Sequence, residues 1–158
     1  MLSPMPATAA AALPILLVWA GAVDIVTRAI PNSIALLLAA GFSVFAAAAG
    51  LSAPQFFAHA ICACAVLTGG FFLYSQSLIG GGDAKLLASL ALWSGFENIL
   101  QLLAWISLAG GGLSLAWLFA HSVRARLGLA SASPPAIPYG AAIAAGALIV
   151  LPDWLAAF

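Results

Sequence analysis

Apolar residues fill the chain in long runs, and polar residues interrupt these runs at only a few places. The runs predict membrane-crossing helices, because about 20 consecutive apolar residues span a bilayer. They give six spans at the following positions: 8–24, 33–50, 55–78, 84–96, 98–121 and 137–155. The fourth run is short for a full crossing. We therefore expect it to begin below the membrane surface, buried in protein or beside a wet cavity.

Composition indicates the same class of protein. Hydrophobic residues make up 65% of the 158 residues and charged residues only 5%, and the mean hydropathy is +1.19. These values are far outside the range of a soluble domain. We expect an all-α polytopic membrane protein whose residues 1–158 form a single membrane-embedded domain, with the lipid bilayer as a partner and no soluble part. The net charge is zero, so no basic patch exists for nucleic acid.

Two of the breaks carry distinctive local signals. Residues 24–32 include Pro31, which ends one helix, and Asn32 with Ser33, which can cap the next. The glycines at 80–82 form a backbone too flexible to remain helical, and we expect a connection there.

The basic residues define the sides of the membrane. All four lie in the connections after the first, third and fifth spans: Arg28, Lys85, Arg124 and Arg126. By the positive-inside rule this side is cytoplasmic, so both termini are expected outside.

Residues 20–22 resemble a signal-peptide cleavage site, but no basic residue precedes them, and we expect the first helix to be retained. The last connection, 122–136, includes the Ser/Pro-rich stretch 131–135 and is predicted to be a mobile loop.

Asp24 and Asp83 are two of only four carboxylates in the chain. Ordinary structural explanations exist for both, since Asp24 and Arg28 have the i, i+4 spacing of an ion pair and Asp83 can cap the helix that follows it. A charge at a membrane helix is costly, however, and both fall on the same side. Two neighbouring carboxyl groups that share one proton can perform aspartic proteolysis: the ionised group takes a proton from water, and the other protonates the scissile carbonyl oxygen.

Three segments resemble motifs of a known family. The segment 80–85 resembles the G-x-G-D motif of the intramembrane aspartyl peptidases, and 24–32 resembles the first-aspartate motif of their prepilin peptidase branch. The segment 138–144 is similar to the last-helix motif of that branch. The residues that carry the resemblance are Gly80, Gly82, Asp83 and Lys85, then Asp24, Arg28, Ile30, Pro31 and Asn32, and finally Pro138, Tyr139 and Gly140.

The resemblance implies a membrane aspartic endopeptidase that cuts the leader from type IV prepilins and pilin-like proteins. Cleavage would follow a glycine and precede the hydrophobic helix, at the cytoplasmic face of the bacterial inner membrane. Asp24 and Asp83 are then the catalytic pair. The candidates for supporting them or positioning the substrate are Gly80, Gly82, Lys85, Arg28, Pro31, Asn32, Tyr139 and Gly140.

The chain also resembles one branch of this family in its length. It lacks the cysteine-containing insertion of larger members, which also methylate the product, and is similar to the short members that serve Flp, or tight-adherence, pili. We therefore expect no methyltransferase activity, no cofactor and no metal. Cys62 and Cys64 should point to different faces of a helix, and His59 and His121 have no evident partner ligand, so none of them indicates a metal site.

Two other functions remain open from the residues. A small transporter would use the aspartates to bind a proton or cation near the membrane midplane, whereas here they lie near one interface and no repeat is evident. A non-catalytic subunit of a pilus or secretion assembly would tolerate the loss of either carboxylate.

Overall fold

The computed structural model describes residues 4–129 and 137–157. These residues form five α-helices and no β-strand: α1 (Pro4–Thr27), α2 (Asn32–Ala49), α3 (Ala53–Ser75), α4 (Gly81–Arg126) and α5 (Tyr139–Ala157). The predicted all-α class is confirmed, and no soluble domain is evident. The stretch 131–135, predicted to be mobile, lies outside the described residues.

The chain reverses direction within α4. At Gly95 the backbone (φ 61°, ψ −173°) is not helical and divides the helix into α4a (81–94) and α4b (96–126). Three contacts show that α4b runs antiparallel to α5: Gln101 with Asp153, Ile106 with Gly146, and Gly110 with Ala142. Because α5 starts at the end of the molecule where α4a also starts, α4b returns to that end. The segments α4a and α4b therefore correspond to the fourth and fifth predicted spans.

The connections between helices gather at two opposite ends. The residues that follow α1, precede α4 and precede α5 line one cavity, whereas residues 49–51 and 95–98 line another. Arg28 lies at the first end, where its guanidinium is 5.3 Å from the centre of the Trp117 ring in α4b. This grouping of the connections agrees with the six crossings predicted from the charge pattern.

Side chains from neighbouring helices pack around the break in α4. Nδ1 of His59 lies 2.8 Å from the carbonyl oxygen of Leu92, just before the break. A Cβ on Gly95 would lie 2.8 Å from Cε1 of His59, so the imidazole fills the space that a side chain would need. Trp93 is 2% exposed and donates its indole N–H to the carbonyl oxygen of Leu38 at 2.9 Å. The break is thus a packed part of the fold.

The outer surface of the helices suits a lipid environment. By length and composition, α2, α3 and α4 can cross a membrane, whereas the apolar stretches Ala11–Thr27 and Tyr139–Trp154 are shorter. Large apolar side chains face outward, including those of Val26 (80% exposed), Leu100 (77%) and Phe119 (73%). The segment α4a is about 21 Å long, less than the roughly 30 Å of a hydrocarbon core. The fourth span is short, as predicted.

One core holds most of the bundle together. Its largest buried side chains are Trp93, Trp154, Phe42 and Phe45, and α1, α2, α4 and α5 all contribute. In α3 only Cys62 and Gly70 are buried among the described side chains, and this helix packs mainly on α4. Both α2 and α3 pack on α4, and they meet where the ring of Phe42 lies 5.9 Å from that of Phe56 and 5.2 Å from that of His59. Nearer to Asn32, an open groove remains between them.

Three local predictions are wrong. The glycines at 81–82 are helical and form the first turn of α4, because the carboxylate of Asp83 stabilises that turn. Asn32 does not cap α2, since Pro31 occupies the N-cap position without a side-chain hydrogen bond. Residues 122–126 complete α4 instead of beginning a loop.

We predict that Gly95→Ala destabilises the fold. Its combination of φ and ψ is essentially restricted to glycine, which makes a side chain cost about 1–3 kcal/mol, and the new Cβ would meet the ring of His59. Gly111→Ala in α4b is the matched control, because a Cβ there has open space and alanine favours the helix. Thermal unfolding in detergent should show a lower Tm for Gly95→Ala only. Equal Tm values for the two variants would contradict this prediction.

Candidate active site

A cavity of about 520 Å³ lies where the end of α1 meets the starts of α4 and α5. Asp24 and Asp83 both line it. The rest of the wall comes from residues 28–30, residues 77–82, and Ile137 with Tyr139. The fold therefore brings together two carboxyl groups that are distant in sequence, and they are close enough to interact electrostatically.

Asp24 is held by the N-terminus of a different helix. It lies in the last turn of α1 and is 5% exposed. Its Oδ2 accepts a hydrogen bond from the backbone N–H of Ala141 at 3.1 Å. Ala141 is in the first turn of α5, where N–H groups lack partners within the helix and carry the positive end of the helix dipole. Asp24 thus caps α5, and α5 compensates the burial of the carboxylate.

Arg28 does not neutralise this carboxylate. It has a left-handed backbone (φ 56°) directly after α1, and its guanidinium lies over the Trp117 ring in a cation–π contact. Within residues 4–129 and 137–157 there is no Asp24–Arg28 ion pair. The i, i+4 spacing of the two residues is therefore not used for pairing.

Asp83 caps its own helix. It lies in the first turn of α4, and its Oδ2 accepts the backbone N–H of Gly80 at 3.3 Å. The cap explanation of Asp83 is thus correct, but a cap uses only one carboxylate oxygen. In the described part of the chain, Oδ1 of Asp83 and Oδ1 of Asp24 have no hydrogen-bond partner. Each aspartate is oriented through one oxygen, and the other is available for chemistry.

Two glycines allow the three helix ends to meet around Ile30. A Cβ on Gly82 would lie 3.1 Å from Cβ of Ile30 and 3.3 Å from its backbone nitrogen. A Cβ on Gly140 would lie 2.5 Å from Cδ1 of Ile30 and 2.9 Å from Cγ of Asp24. Any larger residue at 82 or 140 would therefore push on the connection after α1, and at 140 on the carboxyl group itself.

The comparison with protein families decides what kind of protein this is. The sequence profile of the type IV leader peptidase family matches residues 11–115. That stretch is about two thirds of the chain and contains both aspartate segments, 24–32 and 80–85, although it ends before α5. The chain belongs to the type IV leader peptidase family. No curated protein and no solved structure matches it.

In this leader peptidase the supporting candidates fall into two groups. Those at the cavity are Arg28, Gly80, Gly82 and Tyr139, which line it, and Gly140, which abuts Asp24. Those outside it are Pro31, Asn32 and Lys85. Nζ of Lys85 donates a hydrogen bond to Oδ1 of Asn32 at 2.8 Å, which joins the start of α4 to the start of α2.

Some lining residues are not among the site candidates from the sequence. Ile30 belongs to the 24–32 motif, and its place in that motif is the signal that could have identified it as a site residue. Residues 77–79 carry no comparable sequence signal. They line the cavity because α3 ends just before them. Among the residues that the structure describes, no group of three His, Cys, Asp or Glu side chains is arranged to hold a metal ion.

We predict that Gly140→Ala and Ile30→Val are energetically coupled. The alanine Cβ would meet Cδ1 of Ile30, an atom that valine lacks, so the double variant should be more stable than the sum of the single effects allows. Gly69→Ala on α3, where a Cβ has open space, is the control and should show no coupling to Ile30→Val. A double-mutant cycle of unfolding free energies measures this. Strict additivity of Gly140→Ala and Ile30→Val would show that these residues do not press on each other.

Proposed function

We propose that this family member is an aspartic endopeptidase in which Asp24 and Asp83 are the catalytic pair. The observation that carries the proposal is the shared cavity: two carboxyl groups from different helices line it, and each has one oxygen without a partner in the described structure. Both lie in the part of the chain that matches the family. The domain is taken as the whole chain, 1–158, with α5 contributing Tyr139 and the N–H group that holds Asp24.

The reaction needs the pair to hold one proton. The ionised carboxylate takes a proton from a water molecule as that water attacks the scissile carbonyl carbon. The protonated partner gives its proton to the carbonyl oxygen. As the tetrahedral intermediate collapses and its C–N bond breaks, the first carboxyl group passes the proton taken from water to the leaving nitrogen, and the second carboxylate takes a proton from the hydroxyl group, which restores the pair with one proton. The two helix N-termini fix the carboxyl groups through their Oδ2 atoms, so the attacking water and the substrate meet the two Oδ1 atoms.

The proposed substrates are type IV prepilins of the Flp kind and pilin-like precursors. A peptide that is cut just after a glycine must approach in an extended form. Gly80 and Gly82 border the cavity beside Asp83 without side chains that would block such a backbone. Tyr139 is 46% exposed at the opposite wall and is available to contact the peptide. Since the chain resembles the short members of the family, we propose cleavage without methyl transfer.

We place the enzyme in the bacterial inner membrane with the cavity open to the cytoplasm. The positive-inside rule supports this orientation, because Arg28, Lys85, Arg124 and Arg126 belong to the helix ends on the cavity side. Both termini are then extracytoplasmic.

We predict that Asp24→Asn and Asp83→Asn each abolish cleavage. Loss of a general acid or base lowers the rate by about 100- to 10,000-fold. The assay is trimming of a co-expressed Flp-type prepilin in a host without its own peptidase, at matched membrane levels. Asp153→Asn is the control, because this exposed aspartate bonds Gln101 at the opposite end of the bundle and should leave trimming unchanged. If either active-site variant cleaved normally, that aspartate would be only a helix cap. The protein would then be better explained as a transporter or a non-catalytic assembly subunit.

We also predict the sidedness of the two ends. With Cys62 and Cys64 replaced by alanine, a single cysteine at Ser77 reports on the cavity end and one at Ser52 on the opposite end. A membrane-impermeant maleimide should label Ser52→Cys in intact cells and Ser77→Cys only after permeabilisation. The reverse pattern would place the cavity on the outer side.

A further inference from the structure

The groove between α2 and α3 is a second candidate site. It has a volume of about 420 Å³ and is floored by α4a. α2 contributes Asn32, Ala35, Leu36 and Ala39, and α4a contributes residues at the same spacing, Lys85, Ala88, Ser89 and Leu92. This i, i+3, i+4, i+7 spacing marks one face of a helix. One face of α2 and one face of α4a therefore line the groove side by side over about 10 Å. Ala63, Cys64 and Leu67 of α3 complete it.

The charged and amide side chains of the groove lie at one end, whereas the hydroxyl of Ser89, further along, is hydrogen-bonded to the backbone carbonyl oxygens of Ala35 and Lys85. Asn32 and Lys85 are the first members of their two stripes, and Nζ of Lys85 donates to Oδ1 of Asn32 at 2.8 Å. An ammonium group has three donors, so two remain. No carboxylate in the described parts of the chain forms an ion pair with Lys85, and its side chain is exposed. The groove therefore presents an uncompensated cation at the head of an apolar channel.

The position of this cation matches the surface of a membrane. Asn32 is the first residue of α2, and Lys85 lies in the second turn of α4. Both are near the cavity-side ends of their helices, and the long side chain of Lys85 can extend its ammonium toward the lipid headgroups. Ala39 and Leu92 lie two turns deeper, at the level of the acyl chains.

We propose that this groove binds a phospholipid, with the headgroup phosphate on the ammonium of Lys85 and an acyl chain between α2 and α3. Charge complementarity selects this ligand, since a phospholipid joins an anion to an apolar chain in the same order as the groove. The groove is separate from the catalytic cavity. The two sites share no lining residue, and Asp83 and Lys85, two residues apart, point to nearly opposite faces of α4a.

A lipid in this position adds a link between α2 and α3 beside the ring contacts of Phe42 with Phe56 and His59. It bridges α2 and α3, and its phosphate holds Lys85, two residues after Asp83. Binding requires no peptidase activity, so it can be measured with Asp24→Asn protein as well as with the unmodified chain.

The test is native mass spectrometry of the full chain in detergent with added dioleoyl phosphatidylglycerol. Lys85→Gln should weaken lipid binding about fivefold, the effect of one cation near an anionic headgroup, and Lys85→Arg should retain it. Ala39→Phe, which fills the groove, should weaken binding at least as much. Leu36→Trp at the rim serves if Ala39→Phe fails to fold, because Leu36 is 69% exposed. The controls Arg124→Gln and Ala104→Phe, both on α4b outside the groove, should bind as the unmodified chain does.

Three results would overturn the proposal. Equal binding by the unmodified chain, Lys85→Gln and the groove-filling variant would show only nonspecific lipid. If glycerol phosphate, which has no acyl chain, competed as well as the phospholipid does, the site would be an anion site at Lys85 and not a lipid site. Displacement of the lipid by the apolar segment of a prepilin would make the groove a site for substrate.

Discussion

The contact between the carboxylate of Asp24 and the backbone N–H of Ala141 governs the arrangement of the site. A charge at the centre of a membrane helix costs about 2.5–3.5 kcal/mol on insertion scales, which is an upper limit for Asp24 in the last turn of α1, and a helix cap is worth about 0.5–2 kcal/mol. The cap therefore offsets part of the cost of Asp24 and leaves the rest to water in the cavity or to a proton shared with Asp83. The same contact fixes α5, whose start has no side-chain cap of its own in the described structure.

Close packing then determines how near the two carboxyl groups come. Gly140 lets α5 lie against Asp24, and Gly82 lets α4 lie against Ile30. Ile30 thus lies between α4, which carries Asp83, and α5, which holds Asp24. Further along α5, Gly146 would place a Cβ 2.7 Å from the backbone nitrogen of Ile106, so α4b and α5 are also in backbone contact. The geometry of the cavity is set by backbone proximity, which small residues at helix crossings make possible.

The hydrophobic pattern predicts the helices well because each membrane crossing requires a long apolar run, and it predicts the grouping of connections because basic residues mark one side. The aspartates can be found because charge is rare in such a chain. What the pattern does not contain is the capping of α5 by Asp24, since this contact joins residues 117 positions apart. Likewise, the glycines at 81–82 look like a loop until Asp83 is seen to cap the turn they form. The space beside the reversal at Gly95 is filled by the ring of His59 from α3, a contact that the local sequence around Gly95 does not contain.

Because α4a is short, the thickness of the membrane affects the surroundings of the two carboxyl groups. A segment of about 21 Å between a reversal and Asp83 does not reach across a hydrocarbon layer of roughly 30 Å. A short segment of this kind is accommodated by thinning of the surrounding bilayer, at a cost of fractions of a kcal/mol for each ångström of mismatch. Thinning brings the aqueous phase down to the carboxyl groups, whereas a thicker bilayer separates them from it. We therefore expect lipid chain length to change the access of water to the two carboxyl groups without contact between the lipid and either residue.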